Sequence, residues 1–112
     1  MPTESQLSIS EPGAAPQNVR GQNSSSTSIL VKWDEVPANK QNGIITGYTI
    51  NYQSQTENDN GRVTSSASER EKLLPNLKEY VNYNITVLAS TVKGHGPASV
   101  PVIVVKTDQD SK

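Results

Sequence analysis

The sequence predicts an all-β fold, a seven-stranded antiparallel sandwich of two sheets. Three observations predict it. No stretch of the 112 residues keeps apolar side chains at i, i+3, i+4 and i+7 for a dozen positions, the stripe that an amphipathic helix needs to bury. Alternation with a period of two recurs instead, and it places successive side chains on opposite faces of a strand. Turn-favouring residues separate these stretches, at Asn42-Gly43, Asn60-Gly61, Pro75-Asn76 and Gly94-His95-Gly96-Pro97. About seven short strands in a hundred residues is the spacing of a two-sheet sandwich.

Each element has its own warrant. Residues 1–14 form a flexible tail or linker, rich in Ser, Pro and Glu, with only Leu7 and Ile9 as large aliphatics after the initiator. Asn18–Gln22 follows Pro16 as a short edge strand. Ser28–Trp33 puts Ile29, Val31 and Trp33 on one face. Ile45–Gln53 puts Tyr48, Ile50 and Tyr52 on one face and Thr49 and Asn51 on the other. Arg62–Ser66, around Val63, and Arg70–Leu74 are weaker strands. Tyr83–Ala89 alternates Tyr83, Ile85, Val87 and Ala89 against Asn84, Thr86 and Leu88, and Val102–Thr107 is the last strand. The domain therefore spans residues 15–107, and residues 108–112 are a C-terminal linker.

Composition excludes several function classes. Ten basic against eleven acidic residues leave a formal charge of −1, so no field draws the chain to nucleic acid or to an anionic membrane. Basic residues are scattered without interleaved aromatics. No apolar run of 18 residues exists, and no charged-then-apolar leader opens the chain, so the fragment itself carries neither a transmembrane segment nor a signal peptide. Cysteine is absent, which removes disulfides, thiolate nucleophiles and Cys-based zinc sites. With one His and no Gly-x-Ser-x-Gly, the chain has little for nucleophilic catalysis, and no Gly-rich loop cradles a phosphate. Asp34-Glu35 supplies too few oxygen ligands for calcium. No catalytic residue, cofactor or metal ligand is expected.

The order of a few residues carries a resemblance. Trp33 ends the second strand. Gly47-Tyr48-Thr49-Ile50-Asn51-Tyr52 forms the third. Leu77 precedes Tyr83 by six residues, and Tyr83-x-Ile-x-Val-x-Ala runs on towards Gly94-x-Gly96-Pro97. Over roughly Ala15 to Thr107 the chain resembles a fibronectin type III domain, an immunoglobulin-like sandwich. The resemblance implies that Trp33 and Tyr48 fill the space between the sheets, within a core that includes Ile50, Leu77, Tyr83, Ile85 and Val87. It also implies that the Tyr83 hydroxyl bonds back to the backbone near Leu77, as a tyrosine corner. An immunoglobulin domain proper would need a Cys pair around its Trp. Two positions depart from the family: Gly21 stands where the first strand carries an inward apolar residue, and Glu79-Tyr80-Val81 replaces Pro-Gly-Thr before the corner tyrosine.

Three features bear on function. Two N-glycosylation sequons occur, Asn23-Ser24-Ser25 and Asn84-Ile85-Thr86, a number that random order would also give. Asn23 is expected in the loop after the first strand, and Asn84 on the solvent face by its parity with Tyr83. If Ile103 and Val105 point inward, Val102 and Val104 point outward, with Leu88 of like parity on the neighbouring strand and the loop Lys93–Pro97 beside them. This patch is either ordinary strand propensity on an outer face or a contact surface with Lys93 and His95 at its margin. His95, between two glycines, is read as an exposed loop imidazole.

Domains of this kind are similar to those of cell-surface adhesion molecules and receptors, whether receptor tyrosine phosphatase-like, sidekick-like or neogenin-like. The resemblance implies a non-catalytic interaction or spacer module. Its place would be extracellular, in a cell-surface membrane protein, with tandem neighbours or cell-surface proteins as partners. No nucleic acid and no direct membrane contact are expected. The run Asn42 to Tyr48 is shared with giant muscle proteins, so a structural repeat of an intracellular filament is the alternative.

Overall fold

A computed structural model describes residues 10–56 and 58–108. Eight strands follow in order: β1 (Gln17–Ser25), β2 (Ser28–Asp34), β3 (Gly47–Ser54), β4 (Asn60–Ser66), β5 (Glu71–Leu74), β6 (Asn82–Thr91), β7 (Gly94–His95) and β8 (Ile103–Lys106). One sheet has the order β1-β2-β5. The other runs β4-β3-β6, with β7 and β8 both paired to β6, and every ladder is antiparallel. The eighth strand arises because the last one is split. Between its halves Ser99 keeps the edge bonded: its N–H donates to the Val87 carbonyl, and its Oγ accepts from the Val87 N–H at 2.9 Å.

The core lies between the sheets and is built by alternation. Ile29, Val31 and Trp33 of β2 face Tyr48 and Ile50 of β3 and Tyr83, Ile85, Val87 and Ala89 of β6, with Leu74 and Leu77 closing one end; all are buried. A one-residue slip of any of these strands would expose its whole apolar set, so the pattern fixes the register. Trp33 and Tyr48 meet with ring centroids 5.3 Å apart, and Tyr52 meets Tyr83 edge-on at 5.9 Å. Each large aromatic removes about 150–250 Å² from water, a gross gain of roughly 4–6 kcal/mol.

Tyr83 ties the loops to this core. Its hydroxyl accepts the Lys78 N–H at 2.9 Å, one residue beyond Leu77, and donates to Asp59 Oδ2 at 2.5 Å. Burial, with the bond to Asp59 next, pushes its pKa up to about 12. Burial also raises the Tyr48 phenol. In the adjacent turn Tyr80 occupies the left-handed region, φ 58°, a position that costs a non-glycine residue roughly 1–2 kcal/mol. Two contacts hold it there: its N–H donates to the Asp108 carbonyl, and Lys106 Nζ lies 3.8 Å from its ring centroid. Buried Thr107 fastens the same turn, donating to Lys78 O and accepting the Val81 N–H.

Several sequence expectations need correction. Asn60-Gly61 is not a turn but the start of β4, paired with Gln53 and Tyr52. Glycine leaves room there for the Tyr52 ring that lies over it; a Cβ would sit 2.8 Å from the Tyr52 hydroxyl oxygen, so the ring would have to shift. Gly21 is likewise filled from outside its own strand, with Val105 Cγ2 3.0 Å from where a Cβ would be. A glycine at that position predicts a weak or bulged strand, but Gly21 stays in register with Val31, and the register shifts of β1 lie at Gln17/Arg20 and Asn23/Ser25. β1 extends through Asn23, so that sequon begins inside a strand and not in the loop beyond it.

The tail assigned to residues 1–14 lies outside the described residues for 1–9, but 10–13 are docked. Ser10 N–H donates to Asn42 O, Gly13 N–H to Lys40 O, and Thr91 Oγ1 to Ser10 O. Pro12 is buried and lies against Gly96. At the other end, most of the linker 108–112 also lies outside the described residues.

Candidate interaction surface

The outer face of the five-stranded sheet carries the residues singled out by parity. Ile103 and Val105 pack against the core, while Val102 and Val104 are 49% and 52% exposed. Val104 pairs across the ladder with Asn84, and Ile103 with Ile85. That register ends there, so Leu88 lies beyond it; its β3 partner is Thr49, and it is only partly exposed. The ladder thus places Val104 beside Asn84, and Leu88 lies four residues farther along β6, past the ladder's end.

Lys93 and His95 lie farther off. His95 is in β7 opposite Ser90, and its Nδ1 lies 2.7 Å from Ser90 Oγ, so the expected loop imidazole is a strand residue. Ser90 is six residues along β6 from Asn84, about 20 Å at the rise of a strand. The surface is thus two valines beside Asn84, with the β6–β7 turn at the opposite end. Val100, which sequence reasoning missed, is more exposed still but lines a different groove, with Ala14–Val19.

Next to the valines is a shallow groove of about 520 Å³, whose lining includes Asn51, Gln53, Arg62, Asn84, Thr86 and Val102. Its polar residues follow from alternation, since each is the outward neighbour of a core residue on β3, β4 or β6. Gln55 Nε2 donates to Asn84 Oδ1 at 2.9 Å. The other sequon asparagine is engaged differently: Asn23 Nδ2 donates to Lys106 O at 3.0 Å and to Asp108 Oδ1 at 3.2 Å.

Among the described residues no three His, Cys, Asp or Glu side chains gather to hold a metal. Asp34 and Glu35, adjacent in sequence, are drawn to different cations, Arg20 at 3.6 Å and Arg70 at 3.4 Å.

Comparison with known proteins agrees with this architecture. Residues 14–105 match the family model described as fibronectin type III domain. The chain is 39% identical over 104 residues to "Protein sidekick-1" of Gallus gallus, covering 91% of this chain and 5% of that protein. It is 36% identical over 110 residues to "Receptor-type tyrosine-protein phosphatase F" of Homo sapiens, covering 96% and 6%. The solution structure of the third fibronectin III domain of human KIAA0343 protein superimposes with a TM-score of 0.82 at 32% identity, covering 91% of this chain and 87% of that one. The chain thus spans about a twentieth of the length of the curated relatives it matches.

Proposed function

The chain belongs to the fibronectin type III family, a non-catalytic module, and from that premise we propose that it serves as a protein-interaction or spacer domain in the ectodomain of a cell-adhesion or receptor protein. Its partners are neighbouring domains in a tandem array or cell-surface proteins. Two matches support this reading: one relative is by name a receptor-type phosphatase, and each named relative is many times longer than this chain.

The observation that carries the contact surface is the pair Val102 and Val104, exposed on a sheet face that no element among the described residues covers. Two valines fall well short of the roughly 800 Å² per partner of a standard interface. A neighbouring domain or a weak contact between cell surfaces fits them better than a tight soluble ligand.

The double substitution Val102→Lys, Val104→Glu in the full-length parent protein tests this. The domain is expected to stay folded, because neither side chain enters the core, and cell aggregation or association between adjacent domains is expected to weaken. Association unchanged in a folded double mutant would remove the strip from consideration.

A further inference from the structure

The two functional features of the outer face occupy one place. Asn84 and Val104 are cross-strand partners, so their Cβ atoms are about 4.5–5.5 Å apart, and Thr86, the third residue of the sequon, lines the same groove as Val102. Asn84 presents its amide suitably. Gln55 holds Oδ1, which leaves Nδ2 on the other side of the amide, without a hydrogen-bond partner among the described residues. Asn23 is the opposite case, its Nδ2 being the atom that ties β1 to the end of β8. A substituent on Asn23 Nδ2 displaces those bonds; one on Asn84 Nδ2 displaces none.

We propose that Asn84 is an N-glycan acceptor, and that its first sugars, where attached, lie in the groove beside it and cover Val102 and Val104, so that the valine contact is open to a protein partner only in copies whose Asn84 is unoccupied. In the transfer, Asn84 Nδ2 bonds to the anomeric carbon of an N-acetylhexosamine that heads an oligosaccharide activated as a polyisoprenyl pyrophosphate. The anomeric carbon–oxygen bond breaks, the pyrophosphate leaves with the electron pair, and the amide nitrogen gives up one proton; nothing is oxidised or reduced. The groove fits such a guest. Its volume is within the range of small-molecule sites, and amides, a hydroxyl and the Arg62 guanidinium supply donors and acceptors for sugar hydroxyls. The closing of the face rests on the reading of the valines as a contact; the acceptor site and the covered groove do not.

The test is to send the chain through the secretory pathway of cultured animal cells behind a cleavable leader, beside Thr86→Ala and Asn84→Gln. Peptide masses report occupancy. A soluble paramagnetic probe reports exposure of the Val102 and Val104 methyls, with Val92 and Leu73 as controls. The expected result is an occupied Asn84, with relaxation of the two valine methyls several-fold weaker than in either variant and the controls unchanged. Three results would overturn the proposal: an empty Asn84 in the folded, secreted chain; Asn23 occupied to an equal extent; or valine methyls as exposed with the glycan as without it. Failure of the double-valine experiment removes the contact reading and leaves these results standing, so the two are separable.

Discussion

Tyr83 shows how one side chain couples the core to the loops, and its chemistry sets a pH dependence. A pKa raised from 10.0 to about 12 means that the folded chain holds the phenolic proton more tightly than the unfolded chain does. The corresponding stability is fully present below about pH 10 and is lost as pH rises towards 12; two pKa units amount to roughly 2–3 kcal/mol. Denaturant midpoints between pH 9 and 11.5 are expected to fall for the native chain. Tyr83→Phe is expected to be less stable at pH 7 by about 1–3 kcal/mol, since Lys78 N–H and Asp59 lose their partner, and to show a shallower alkaline decline. The raised Tyr48 phenol acts in the same direction, so the slope does not vanish. A variant as stable as the native chain would deny Tyr83 its role. Trp33 is a plainer case of burial. Its Nε1 is the one buried side-chain polar atom among the described residues without a hydrogen-bond partner, so packing alone holds the ring. Trp33→Ala is expected to cost roughly 3–5 kcal/mol through lost transfer energy and a cavity. Chemical denaturation measures that loss, and a native indole emitting as if in water would contradict the placement.

At the scale of elements, the strands that line the core were legible because both faces speak: Tyr83 to Ala89 alternates without a fault, and β6 pairs as that alternation requires. Legibility failed where a residue's reason lies elsewhere in the chain. Gly61 reads as a turn residue until Tyr52 is seen above it, and Asp59 has no local signal that it meets a tyrosine 24 residues later. The face of Val102 and Val104 followed from parity, but Leu88 and His95 could not be placed without the ladder's register. Residues 10–13 are the largest omission, because backbone groups dock them and sequence patterns report side chains. Their removal is expected to matter. A chain starting at Ala14 gives up four hydrogen bonds of about 0.5–1.5 kcal/mol each, partly offset by recovered backbone entropy. Compared with a chain starting at Ser10, a net loss near 1 kcal/mol lowers Tm by about 4–8 °C. Gly96→Ala is expected to lower Tm in the longer chain, because its Cβ would lie 2.8 Å from Pro12 Cβ, and to be nearly neutral in the shorter one. Equal effects in both chains would show that Pro12 is not what Gly96 accommodates.

For the whole molecule, the aromatic core and not the surface charge holds the two sheets together, and Arg70 separates these contributions. Arg20–Asp34, Lys32–Glu71 and Arg70–Glu35 lie at 3.4–3.8 Å with every side chain at least 40% exposed. Such pairs typically contribute 0–1 kcal/mol and weaken as salt screens them. Arg70 does more than pair. It donates to the Ala67 and Glu69 carbonyls at 2.8 Å, and its guanidinium carbon lies 5.4 Å from the Tyr48 ring centroid. Its own carbonyl accepts the Trp33 N–H, so the loop that carries it also braces the buried tryptophan. The guanidinium thus spans from Glu35 after β2, in one sheet, to Tyr48 of β3 in the other. Arg20→Ala and Lys32→Ala are expected to cost under about 1 kcal/mol, and that cost should shrink in concentrated salt. Arg70→Ala is expected to cost more, about 1–3 kcal/mol, and most of it should persist in salt, because hydrogen bonds to carbonyls and contact with a ring are screened far less. Melting curves of the three variants at low and high sodium chloride decide the matter. If the Arg70 loss disappeared with salt as the others do, Arg70 would be one more surface charge, and the junction of the sheets would rest on the apolar core alone.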